Sequence, residues 1–175
     1  MSSCLRFRLL TAISLLSVSP TLLGAASYRQ NFDQRLLLAH NGERNALGVK
    51  PLAWSDELAN EARIWARHLA ATGKFEHSSH SPHSPPQGEN LWAGTAGHYK
   101  PESMVGLWVA EKKDYKPGIF PNNSRTGSVG AVGHYTQLIW KRTEHVGCAL
   151  ERGVEEDVLV CRYSTPGNVL GERPA

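Results

Sequence analysis

The sequence predicts an α+β protein, with helices gathered early in the chain and strands late. Three observations predict it. Helical periodicity is confined to the first two thirds of the chain. Segments rich in aromatic and β-branched residues crowd the last third. No internal repeat and no strand–helix–strand alternation joins the two regions.

The first residues are set apart from this fold. Arg6 and Arg8 give a short positive start, Leu9 to Leu23 is mostly apolar, and Gly24-Ala25-Ala26 follows with small residues. That is the layout of a secretory signal, with the cut expected after Ala26. The apolar run is too short and too broken by Ser for a good membrane span. Residues 27–175 are then expected to form one domain of roughly 150 residues, a usual size for a single core. No membrane insertion is expected after cleavage.

The formal charge of the chain is +3, and removal of Arg6 and Arg8 leaves +1 (3 − 2). Neither this balance nor any basic run points to a nucleic-acid partner. Loss of Cys4 leaves Cys148 and Cys161. In an exported protein two remaining cysteines suggest one disulfide, with two buried thiols as the alternative.

Tyr28 to Leu47 reads as a helix, with Phe32, Leu36, Ala39 and Leu47 near one face and Gly48 as its stop. Val49 to Leu52 is an extended link, because Pro51 disfavours helix before it. A second helix starts after Ser55, a good N-cap, with Asp56 and Glu57 in the first turn. Leu58, Ala62, Trp65 and Leu69 form its apolar face, and Gly73 ends it. Phe75 to Gly88 is a loop of Ser, His and Pro carrying His77, His80 and His83. A third helix begins near Pro101 and presents Met104, Val105, Trp108 and Val109. Ile119 to Gly133 is a second long loop. Tyr135 to Lys141, Val146 to Leu150 and Val158 to Tyr163 read as strands. The last two are expected to form a hairpin, across which Cys148 and Cys161 could face each other. The tail from Pro166 is expected to be irregular.

Four residues are candidates for chemistry: His77, Glu89, Glu111 and His134. Each lies beside a loop or at an element end, where sites usually form. Glu89 follows a glycine that permits close backbone approach. Glu111 sits one turn after Trp108, and His134 follows Gly133 at the expected mouth of a strand. Spacing alone leaves plain alternatives open: a structural histidine, a solvated glutamate, a solvated histidine loop. No H-E-x-x-H or C-x-x-C string fixes a metal.

The segment Gly133-His134-Tyr135-Thr136-Gln137-Leu138-Ile139-Trp140 resembles the first signature of the CAP superfamily. That family comprises cysteine-rich secretory proteins, antigen 5 and plant pathogenesis-related proteins of group 1. Val160-Cys161-Arg162-Tyr163-Ser164-Thr165-Pro166-Gly167-Asn168 resembles its second signature. Ala39-His40-Asn41 with Arg44, Gly88-Glu89-Asn90-Leu91, and Trp108-Val109-Ala110-Glu111 with Tyr115 are similar to its shorter strings, in the family's order. The single possible cysteine pair suggests a compact version of the family, as in a bacterial member.

The resemblance implies a three-layer α-β-α sandwich whose cleft holds two His and two Glu. By motif position these are His77, Glu89, Glu111 and His134. Two imidazoles could hold Zn²⁺ weakly and reversibly, with carboxylates as ligands or as supports behind the rings. Acid should release such an ion. The resemblance also implies lipid, sterol or protein partners, with Tyr115, Ile119 and Phe120 on a candidate lipid-contacting loop. The expectation is a secreted binding protein, or a periplasmic one if bacterial. The alternative is a metal-dependent hydrolase using the same cleft, with a Glu beside metal-bound water.

Overall fold

A computed structural model describes the backbone of residues 20–79 and 85–175, and the side chains of residues 31–79 and 85–175. His80, His83 and most of the expected leader lie outside the described residues. The elements run α1 (Pro20–Ala46), β1 (Ala53–Trp54), α2 (Asp56–Thr72), β2 (Gln87–Thr95), α3 (Pro101–Ala110), α4 (Gly133–Leu138), β3 (His145–Arg152) and β4 (Glu156–Ser164). No described helix is long and apolar enough to cross a membrane.

The sheet order is β1-β3-β4-β2. β3 and β4 form the expected hairpin, β2 pairs antiparallel with β4, and the short β1 runs parallel to β3. Strand alternation sends side chains to two separate cores. On one face Val158 and Val160 of β4, with Leu91 and Ala149, meet Ala62, Ala66 and Leu69 of α2. On the other, Leu159, Cys161 and Tyr163 join Leu36 of α1, Met104, Val105 and Trp108 of α3, and Tyr135 and Leu138 of α4. Helices on both faces of one sheet make the expected three-layer sandwich.

α2 follows the sequence reading closely. The Ser55 hydroxyl accepts from the Leu58 amide at 3.2 Å, and Gly73 takes φ +66°, donating its N–H to the Leu69 carbonyl at 2.9 Å. A Cβ at Gly147 would overlap the backbone of Ser55 and Ala59, so a glycine in β3 lets α2 lie directly on the sheet.

Three readings need correction. Tyr135 to Lys141 is not a strand: residues 133–138 form α4, and His134 stands in the first turn of that helix. Residues 135–140 are all buried, so no polar–apolar period distinguishes helix from strand there. Tertiary contacts decide it. The Tyr135 amide donates to the Glu111 carboxylate at 3.0 Å, and the Thr136 hydroxyl donates back to the Val132 carbonyl at 2.9 Å. Secondly, Leu47 lies beyond the end of α1 and is 39% exposed, so it is not on the buried face. Thirdly, Gln87 to Thr95 forms a nine-residue strand that the sequence reading does not assign.

The cysteine pairing occurs as expected. Cys148 and Cys161 are opposite one another in the β3–β4 register and are joined as a disulfide.

Candidate functional site

The four candidate residues form two imidazole–carboxylate pairs. His77 donates its Nδ1–H to Glu89 Oε1 at 2.7 Å. His134 donates its Nδ1–H to Glu111 Oε1 at 2.6 Å. A carboxylate can only accept, so each pair fixes the proton on Nδ1 and leaves Nε2 as the nitrogen available to a ligand. This arrangement orients a ring.

Different elements support each pair. Glu89 lies on β2 beside the loop that brings in His77. Ser78 donates its amide to Oε1 at 3.0 Å and its hydroxyl to Oε2 at 2.8 Å. Across the β2–β4 register Glu89 faces Arg162, whose Nη2 is 3.3 Å from Oε2. Burial opposes ionisation of Glu89, yet the donors from His77 and Ser78 and the Arg162 charge hold its carboxyl below the usual range. The hydrogen bond to Glu89 raises His77 above its ordinary value, outweighing partial desolvation. Glu111 opens a 3-10 turn that continues α3 over Glu111–Lys113, and its second oxygen caps the N-terminus of α4. Trp108 stacks on His134, with the ring planes 15° apart.

A buried polar network sits behind His134. Asn90, next to Glu89, donates to the His134 carbonyl and to the Tyr163 hydroxyl, each at 3.1 Å. Tyr163 donates in turn to His40 Nε2 at 2.9 Å, while His40 donates Nδ1–H to the Leu36 carbonyl at 2.8 Å. Burial drives the His40 imidazole down to about 4, despite the Leu36 bond, and the Arg44 charge adds to the effect. His40 is therefore neutral at physiological pH and serves as a structural member of the site wall. Arg44 is fully buried and donates to the carbonyls of Lys50, Leu138, Trp140 and Thr143. It thereby anchors the end of α4.

A groove of about 610 Å³ opens beside the first pair, lined by His77, Glu89, Trp65, Gln87 and Arg162 among others. His134 and Glu111 are not among its lining residues. Gln137 closes its inner end: its Oε1 accepts from the Gly167 amide at 2.6 Å, over Gly88, which has no side chain to obstruct it. Gln87 and Arg162 were not singled out as site residues in the sequence, and Trp65 was read only as part of the apolar face of α2. The signal for Arg162 is its register opposite Glu89, which exists only once β2 is paired.

On the candidate lipid loop the three residues differ. Phe120 is buried, its ring edge-on to Trp140. Tyr115 is half-buried against Tyr135, and Ile119 is 46% exposed. Lipid contact through Phe120 would require this loop to open.

The donor set limits any metal. Among the described residues no group of three or more His, Cys, Asp or Glu is placed to hold an ion. Both oxygens of Glu89 and of Glu111 already accept hydrogen bonds. The carboxylates thus serve as supports behind the rings, and each imidazole keeps its Nε2 clear of its carboxylate.

The chain is a three-layer sandwich that carries two His–Glu pairs. The sequence profile of the Cysteine-rich secretory protein family, CAP, matches residues 37–163, and the chain belongs to that family. It is 35% identical over 167 residues to "Pathogenesis-related protein PR-1 type" of Sambucus nigra, covering 94% of this chain and 95% of that protein. It is 39% identical over 147 residues to "Pathogenesis-related protein 1A" of Nicotiana tabacum, covering 83% and 82%. A solved structure, "Crystal structure of NaASP2 with Zn2+", superposes with TM-score 0.69 at 22% identity, covering 81% of this chain and 83% of that one. That likeness carries the fold.

Proposed function

We propose that this chain is an exported ligand-binding module whose two His–Glu pairs hold imidazoles in fixed orientation and can take up Zn²⁺ weakly and reversibly. One observation carries the reading: both oxygens of each carboxylate accept supporting hydrogen bonds, and each imidazole keeps its Nε2 for a ligand. The related fold crystallised with Zn²⁺ is consistent with it. A hydrolase would need a carboxylate free to take a proton from water. Glu89 meets an Arg and two Ser78 donors, which makes it a poor base. The signal-like start supports export, and the exposed Ile119 supports a lipid or protein contact at the second loop.

Calorimetric titration with Zn²⁺ tests the proposal. The wild-type protein should bind and release the ion on acidification, and His134→Ala should bind at least tenfold more weakly. Equal binding by the two proteins would end the metal reading. Turnover of a peptide substrate that a chelator abolishes and Glu111→Gln removes would replace it with the hydrolase.

A further inference from the structure

The groove beside His77 has a floor of interlocked planar side chains. Gln87 donates from Nε2 to Glu61, and Arg162 Nη1 donates to Gln87 Oε1 at 3.2 Å. Arg162 Nη2 reaches Glu89, which holds His77. Glu61, Gln87, Arg162, Glu89 and His77 thus form one continuous ladder drawn from α2, β2, β4 and a loop. Each member fixes its neighbour's plane, and Glu61 and Gln87 keep spare capacity while Glu89 does not. Among the described residues the buried Arg162 Nε–H has no partner, and Glu61 and Gln87 each retain unused lone pairs or N–H groups.

The wall beside this floor is an indole. Trp65 is backed by His68, with ring centroids 4.7 Å apart and planes at 17°. Its Nε1–H is committed to the Glu76 carbonyl at 3.1 Å. Its remaining surface therefore presents apolar ring to the groove, with Ile64 next to it and Pro85, Pro86 and Pro166 also among the lining residues.

Charge and polarity narrow the ligand. Glu61 and Glu89 stand against Arg162, with His77 adding a second positive charge only when protonated, so the floor carries at most a small negative excess. A polyanion would meet two carboxylates. An alkyl chain would cover floor groups without satisfying them, at about 1–3 kcal/mol for each group left unpaired. A pyranose has equatorial hydroxyls that both donate and accept, and a C–H face suited to an aromatic ring.

From this juxtaposition of a charge-compensated polar ladder and a locked indole, we infer that the groove is a binding site for a neutral oligosaccharide. The inference rests on the binding-module reading and assigns that module a ligand class. The polar floor and the Trp65 wall recognise the sugar, and the imidazole of His134 is not required.

NMR titration of the secreted protein with cellohexaose and with chitohexaose tests it. At least one sugar should shift the Trp65 indole N–H signal saturably below about 10 mM. Trp65→Ala should weaken binding at least tenfold and Gln87→Ala at least threefold, while Trp65→Phe should stay within threefold of wild type. If Trp65→Ala fails to fold, Gln87→Ala and Trp65→Phe decide the matter. The inference is overturned if neither sugar moves the signal, if the folded variants bind as wild type does, or if only an uncharged peptide or a sulfated hexasaccharide binds. Zn²⁺ titration of the same samples separates the two proposals. Zn²⁺ binding without sugar binding refutes only the ligand class.

Discussion

Replacing Glu111 by Gln tests the central geometry with a change of two atoms' chemistry and almost none of shape. Glu111 accepts from His134 Nδ1 at 2.6 Å and from the Tyr135 amide at 3.0 Å, and its side chain is only 19% exposed. A glutamine has one acceptor oxygen and one donor nitrogen. Whichever way it turns, one of the two N–H donors faces an N–H₂ group. The loss is one charge-assisted hydrogen bond, about 1.5–3 kcal/mol. At roughly 2–4 °C per kcal/mol for a domain of this size, the midpoint should fall by about 3–12 °C. Support behind a metal-binding histidine is typically worth about 10–100-fold in affinity, so Zn²⁺ binding should weaken by that factor. Differential scanning calorimetry and Zn²⁺ titration read the two effects separately. If Glu111→Gln melts within a degree of wild type and binds Zn²⁺ equally, the carboxylate neither caps α4 nor orients His134, and the two-pair description is wrong.

Other perturbations reach the remaining parts. Glu89→Gln removes the carboxylate charge behind the hydrogen bond that raises His77, so the His77 pKa should fall towards 6.5 in an NMR titration. The sign for stability follows from both partners. The raised His77 pKa contributes stability that is present below its unfolded value and fades as pH rises through the folded one. The lowered Glu89 pKa contributes stability that fades as pH falls through its folded value. Denaturant midpoints should therefore show the wild-type advantage over Glu89→Gln between those two limits and lose it outside them. Gly88→Ala would drive a methyl into the buried Gln137 amide and should cost about 1–3 kcal/mol, partly recovered by adding Gln137→Ala. Removing the disulfide with Cys148→Ala and Cys161→Ala opens a loop of sequence separation 13, and urea unfolding should report a loss of about 3 kcal/mol.

Much of the fold was legible because local signals and burial agreed. In α2 the Ser55 cap, the acidic first turn, the apolar spacing and the Gly73 stop all point the same way, and the helix ends where they say. The hairpin was legible because β3 and β4 are each bounded by turn residues and carry one cysteine at a matching depth. The strand β2 was not, since Gly88, Glu89 and Asn90 have low strand propensity. It is a strand because Glu89 meets Arg162 and Asn90 meets Tyr163 once β4 is alongside. α4 was misread for a related reason: six buried residues in a row carry no period, and the cap that makes them helical comes from Glu111, more than twenty positions earlier.

The same distinction governs the site. Motif order singled out four candidate residues, but their grouping into pairs is a property of the packing. β2 links the pairs physically: Glu89 supports His77 on one side, while the adjacent Asn90 holds the His134 carbonyl on the other. A shift of β2 by one residue against β4 would exchange the faces of Glu89 and Asn90 and dismantle both supports at once. Gly88, immediately before them, is locked over Gln137 of α4, and Arg162 and Tyr163 receive the two side chains from β4. The short string Gly88-Glu89-Asn90-Leu91 is thus best understood as a register lock. Its glycine sets the approach to α4, its carboxylate orients one imidazole, and its amide positions the backbone that carries the other.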